Sequence, residues 1–167
     1  MSNLVYLMCS LPSLKFGQVP PISMDEFTND AKEQLSAKHF KQLEPVDIYQ
    51  VADSEGKAGL KSIGTMLGDC QEDISEIRTA KTQKRAPSLA RLPQAVINAN
   101  PLEREKLIMR WQWEELDTIQ AGEMFTFTEV MVYKLRLQIL NRLNSFDKEH
   151  GSQVLASVVN PSKTKEE

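Results

Sequence analysis

A chain of 167 residues, 41% hydrophobic and 26% charged, is long enough to bury about 68–70% of its unfolded surface in a real core with no disulfide or metal. A formal net charge of −3 and a pI near 5.5 give no field that would attract nucleic acid, so that class of partner is set aside. Cys9 and Cys70 form no CxxC or metal-ligand cluster and read as core thiols of a protein from a reducing compartment.

The opening apolar run has no basic residue before Leu4, and Pro12 and Lys15 follow it without an A-x-A-like cleavage site, so an export signal is not expected. No stretch approaches the ~18 uncharged apolar residues of a membrane span. The expected location is therefore cytoplasmic, or at most peripheral on the cytoplasmic face of the inner membrane. Leu4 to Leu11 is expected to be a short extended segment, leading into a turn with Gly17, Pro20 and Pro21. Ser23 then caps a helix, with Glu26 as its capping-box partner and Phe27, Ala31 and Leu35 at four-residue spacing on one face. Ser36 offers a second cap, predicting a separate short helix that runs to Glu44 and is ended by Pro45.

Residues 45 to 59 read as a loop, with Asp47 to Val51 as a candidate extra helical turn. From Leu60, the residues Ile63, Leu67, Cys70, Ile74 and Ile77 alternate three and four apart, the seam of a long amphipathic helix that ends before Pro87. Leu89, Leu92, Val96 and Ala99 suggest a short helix. Asn100 with Pro101 opens another that runs through Trp111 and Trp113 to Ile119 and is closed by Gly122. The segment from Phe125 to Gly151 is apolar on nearly every side, with a capping box at Thr126 and Glu129 and only a narrow polar stripe through Lys134, Gln138, Asn141 and Ser145. A helix patterned this way is buried by neighbours, which makes it the expected centre of a bundle. A further short helix is expected from Lys148 to Val159 after Asp147, and residues 160–167 form a charged tail. The fold class is thus all-α: a bundle of six to seven helices in a single domain over residues 1–159, with a division into packed units 1–86 and 87–159 as the alternative.

No catalytic, cofactor or metal set is expected. Gly56-Lys57 lacks the earlier glycine of a phosphate loop, since Val51 stands there, and Ala58 replaces the magnesium-binding hydroxyl. His39 and His150 are far apart, beside charged residues, and read as solvated. Glu114 and Glu115 are adjacent and face different ways on a helix; Glu72 and Glu76 share a face that reads as solvated. Trp111 and Trp113, two apart, cannot both enter one pocket, so one is expected in the core and the other in partial contact. The least ordinary feature is the basic run Arg78, Lys81, Lys84, Arg85 and Arg91 after the long helix, which is either a solvated face or a contact for an acidic partner or anionic lipid, with Arg78, Lys81, Lys84 and Arg85 as the candidate contact residues. Cations at a helix C-terminus also complement the macrodipole, which explains some of them structurally.

Three segments, YLMCSLPSLKFGQVPPISMDEF, NPLEREKLIMRWQWEELD and GEMFTFTEVMVYKLRLQILNRLNSFDKEHG, resemble a small family of uncharacterised proteins encoded beside bacterial V-type ATPase genes. That family is similar in turn to the funnel-shaped coupling subunit of V/A-type ATPases, lettered C in archaea and bacteria and d in eukaryotes. The resemblance implies an all-helical fold like that of the coupling subunit and a non-enzymatic role, coupling or docking the central stalk to the membrane rotor ring, with other V-type ATPase subunits as partners. The chain is much shorter than that three-unit protein. A helical adaptor with an unrelated partner is the alternative; an enzyme would need a convergent set of titratable groups that the sequence does not supply.

Overall fold

The computed structural model describes residues 1–50 and 58–159, with side chains described over 1–50 and 59–147. The described residues form the helices α1 (Leu4–Ser10), α2 (Met24–Gln34), α3 (Ala37–Leu43), α4 (Ala58–Thr82), α5 (Ala95–Asn98), α6 (Pro101–Gln120) and α7 (Phe127–Val159), and contain no strand. The all-α bundle is as the periodicity predicts. At its centre runs α7, whose Leu135, Leu137, Ile139 and Leu140 are fully buried, packed by α6 on one side and by α1 and α2 on another. One continuous apolar cluster runs from Leu7 to Phe146.

The local signals explain most boundaries. Ser23 and Glu26 close a complete capping box on α2, and Ser36 caps α3 by accepting the His39 N–H. Asn100 accepts the Glu103 N–H, Pro101 opens α6, and Gly122, at a φ of +80°, turns the chain after it. The polar stripe of α7 is stitched to the segment after α2: Lys134 Nζ donates to the carbonyls of Leu43 and Glu44 at 2.9 and 3.0 Å, and Gln138 Oε1 accepts the Ile48 N–H at 3.0 Å. Near their first turns α4 and α7 almost touch. A Cβ on Gly59 would lie 2.1 Å from Thr128 Oγ1.

Several expectations are corrected. Leu4 to Ser10 is helical, not extended, and only its cap Leu11 has extended backbone: Asn3 caps the start by accepting the Tyr6 N–H, and Leu4, Leu7, Met8 and Leu11 form a stripe that packs on the core. That stripe turns Cys9 outward, so Cys9 is exposed and only Cys70 is a core thiol. The helix expected from Leu89 to Ala99 shrinks to α5. Both α7 and the short helix expected after Asp147 are one element, because nothing between Ser145 and Val159 breaks a helix except Gly151, which costs only about 1 kcal/mol. Trp111 and Trp113 are both buried, since α6 is covered by α4 and α5 as well as by α7. Asp47 to Gln50 forms turns and not an extra helical turn; Val51, Gly56, Lys57 and the tail 160–167 lie outside the described residues.

Candidate functional site

The basic run sits where α4 ends. Lys84 takes a left-handed φ of +54°, its N–H bonds the Lys81 carbonyl, and the Arg85 N–H reaches back to the Ala80 carbonyl. That is the paired bonding of a Schellman turn, with lysine where glycine is usual. Arg85 then folds back on its own helix and makes a bidentate contact with Glu76, at 2.5 and 2.9 Å. The arginine and the Ser88 N–H together hold the Glu76 carboxyl down at about 2, so Glu76 is not the solvated twin of Glu72. Arg91 bridges two helices, donating to Asp69 of α4 at 3.2 Å and to Glu115 of α6 at 2.8 Å. Glu114 pairs separately with Arg110. The four candidate residues therefore divide. Arg78, Lys81 and Lys84 are exposed and, among the described residues, have no carboxylate partner, whereas the charge of Arg85 is engaged by Glu76.

The chain from Arg85 to Leu92 is held against α4 by an acid not anticipated from the sequence. Asp73, only 3% exposed, accepts N–H bonds from Ala90, Arg91 and Leu92 at 2.9, 2.8 and 2.7 Å. Burial alone would raise its carboxyl, but the three backbone donors and the nearby Arg91 charge bring it below the usual value. Because Asp73 takes these donors, residues 90–92 do not enter the helix expected there. Arg104 performs the complementary task at the C-terminus of α5, donating to the carbonyls of Val96, Ile97 and Ala99. Between α4 and α6 lies a groove of about 250 Å³ lined by Ile74, Ile77, Arg78, Pro101, Arg104, Glu105 and Ile108.

A second concavity, of about 300 Å³, opens between the Met8–Leu14 segment and α7, with Gln120, Glu129, Tyr133 and Arg136 on its wall. Most of its polar groups are tied to one another, although the buried Arg136 Nε finds no acceptor among the described residues. Gln120 donates to Glu129 at 3.3 Å and accepts from Arg136 at 3.3 Å, and Arg136 also contacts Asp117 and lies 4.7 Å over the Trp113 ring. Tyr133 donates to the Pro12 carbonyl at 2.8 Å, and burial pushes its phenol up to about 12. These contacts pin the N-terminal segment to the bundle. His39 is half-buried rather than fully solvated: its Nδ1 is 2.6 Å from Ser2 Oγ and its ring stacks on Phe127. The side chain of His150 lies outside the described residues. No described group of three or more His, Cys, Asp or Glu is arranged to hold a metal ion.

Residues 83–165 match a family described as a protein of unknown function (DUF2764). That span is just under half of the chain and covers the end of the basic run, α5, α6 and α7. No curated protein and no solved structure matches the chain. No helix of the described residues is long and apolar enough to cross a membrane.

Of these features, the basic run and the core helix were legible in sequence. Asp73 left a signal as well, an acid between Cys70 and Ile77 on the apolar seam. Arg104 and Arg136 left none, because their partners are backbone carbonyls and side chains on other elements.

Proposed function

We propose that this protein is a non-enzymatic subunit or accessory protein of a V-type ATPase, docking the central stalk to the membrane rotor ring from the cytoplasmic side. The observation that carries the reading is that the three segments resembling the ATPase-linked family pack as one unit. Phe16 meets Trp113 edge-on at 5.5 Å with Arg110 over its other side at 4.8 Å, Phe27 stacks on Tyr133 at 5.4 Å, and Tyr133 bonds Pro12. Residues that carry a resemblance because they build one scaffold are expected to meet in this way. The contact face of this reading is the exposed triad Arg78, Lys81 and Lys84, which suits an acidic partner surface and acts mainly on the rate and orientation of association.

The test is affinity purification from the native cell at low salt, followed by identification of the recovered proteins. V-type ATPase subunits are expected. Reversal of Arg78, Lys81 and Lys84 to glutamate should slow association and flatten its salt dependence without unfolding the protein, at the cost of a modest drop in Tm from three anions at the C-terminal end of α4; Arg85 is left in place because reversing it would also break the Glu76 pair. Recovery of no ATPase subunit overturns the reading in favour of a helical adaptor with another partner. Equal recovery with the reversed triad overturns only the contact face.

A further inference from the structure

Between α6 and α7 the chain makes a turn that displays two large apolar side chains to solvent. Met124 is 73% exposed and Phe125 is 39% exposed. Phe125 also has a φ of +54°, the left-handed region that a bulky side chain rarely enters and that glycine enters without penalty. The conformation is imposed by neighbours. The Glu129 carboxylate, expected to reach the Thr126 N–H in a capping box, instead accepts the Phe125 N–H at 2.6 Å, while Thr126 Oγ1 accepts the Glu129 N–H at 3.4 Å. On the other side Gly122 sits at +80° and the Glu123 N–H closes on the Gln120 carbonyl at 2.9 Å. An aromatic ring is thus held outward in a conformation where a smaller residue would be less strained, the pattern expected when the side chain itself is used.

Charge narrows what the ring meets. At the turn itself the charged side chains are Glu123 and Glu129, and no lysine or arginine lies between Arg110 and Lys134; farther back on α6, Glu114, Glu115 and Asp117 are each paired with an arginine. An anionic lipid surface would be repelled by such a frame, whereas a protein pocket edged by cations complements it. We infer that the α6–α7 turn is a docking tip, in which Met124 and Phe125 enter an apolar pocket edged by lysine or arginine on a V-type ATPase subunit; the identity of the partner rests on the function proposed above. The tip is opposite in sign to the Arg78, Lys81 and Lys84 face, so the protein carries two contact surfaces suited to different partner surfaces.

The experiment measures binding of the full chain to purified, detergent-solubilised V-type ATPase of the same cell, and separately to vesicles of equal parts phosphatidylcholine and phosphatidylglycerol. Phe125→Gly and Met124→Ser should each weaken binding to the ATPase by about tenfold or more, as removal of a central apolar anchor does. Their Tm should stay within about 4 °C of the parent, since glycine suits the backbone at 125 and Met124 is mostly in solvent. Met124→Ser keeps the test decisive if Phe125→Gly perturbs the turn. Binding of the parent with equal binding of both variants overturns the tip and leaves the proposed function standing. No binding of the parent to the ATPase overturns both. Vesicle binding by the parent that is lost in Phe125→Gly overturns the protein pocket in favour of a lipid surface.

Discussion

Asp73→Ala tests whether a single buried carboxylate organises the chain between α4 and α5. Its two oxygens serve three backbone donors at 2.7 to 2.9 Å. Charge-assisted hydrogen bonds contribute about 1.5–3 kcal/mol each, but the three do not add in full. The Ala90 and Arg91 donors are part-buried and regain water once the carboxylate is gone, the cost of burying the carboxylate itself is relieved, and only the Leu92 N–H is left deeply buried. The expected loss is about 3 kcal/mol, equivalent to roughly 6–12 °C in Tm for a chain of this length. The assay is urea denaturation followed by far-UV circular dichroism and tryptophan fluorescence. Asp73→Asn should recover only part of the loss, because one oxygen becomes a donor facing donors. The pH dependence supplies an independent sign. The folded carboxyl titrates below its usual 3.8, so its contribution is present above about pH 4 and fades as pH falls through the folded value. The acid limb of the stability curve should therefore be shallower in Asp73→Ala than in the parent. A loss under about 1 kcal/mol, with an unchanged acid limb, would refute the clamp.

Leu140→Ala, at a fully buried position of α7, should cost about 2–5 kcal/mol in the same denaturation assay, and a loss below 1 kcal/mol would remove α7 from the centre of the bundle. Gly59→Ala should destabilise by about 1–3 kcal/mol, because the added methyl meets Thr128 at 2.1 Å; Thr128→Ser does not relieve an overlap with Oγ1, whereas Thr128→Ala in the same chain should restore most of the loss. Of the two thiols, Cys9 should react with a thiol reagent at mildly alkaline pH in the folded protein, and Cys70, pushed up to about 11 by burial and the Asp73 charge, should react only on unfolding; equal rates would contradict the burial of Cys70.

Helix identity in this protein is a local property, and the sequence by itself determined most of it. Ser23 with Glu26, Ser36, and Asn100 with Pro101 each satisfy backbone donors within a few residues, so the starts of α2, α3 and α6 do not depend on what packs against them. The seam from Ile63 to Ile77 and the nearly all-round apolar pattern of α7 likewise announced one helix laid on a face and one enclosed. Only the tertiary structure decided which polar groups are free. Arg85 and Arg91 look like Lys81 and Lys84 in sequence, but Glu76, Asp69 and Glu115 come within reach of the first two only when α4, its following turn and α6 are assembled. The same holds for Asp73, whose partners lie 17 to 19 residues along the chain, and for Phe125, whose left-handed backbone is set by a carboxylate on the next turn of helix and is invisible to any periodicity. Capping and burial propagate over three or four residues and can be seen in order along the chain, whereas the pairing of charges and the exposure of a side chain are settled by neighbours that the fold alone brings together.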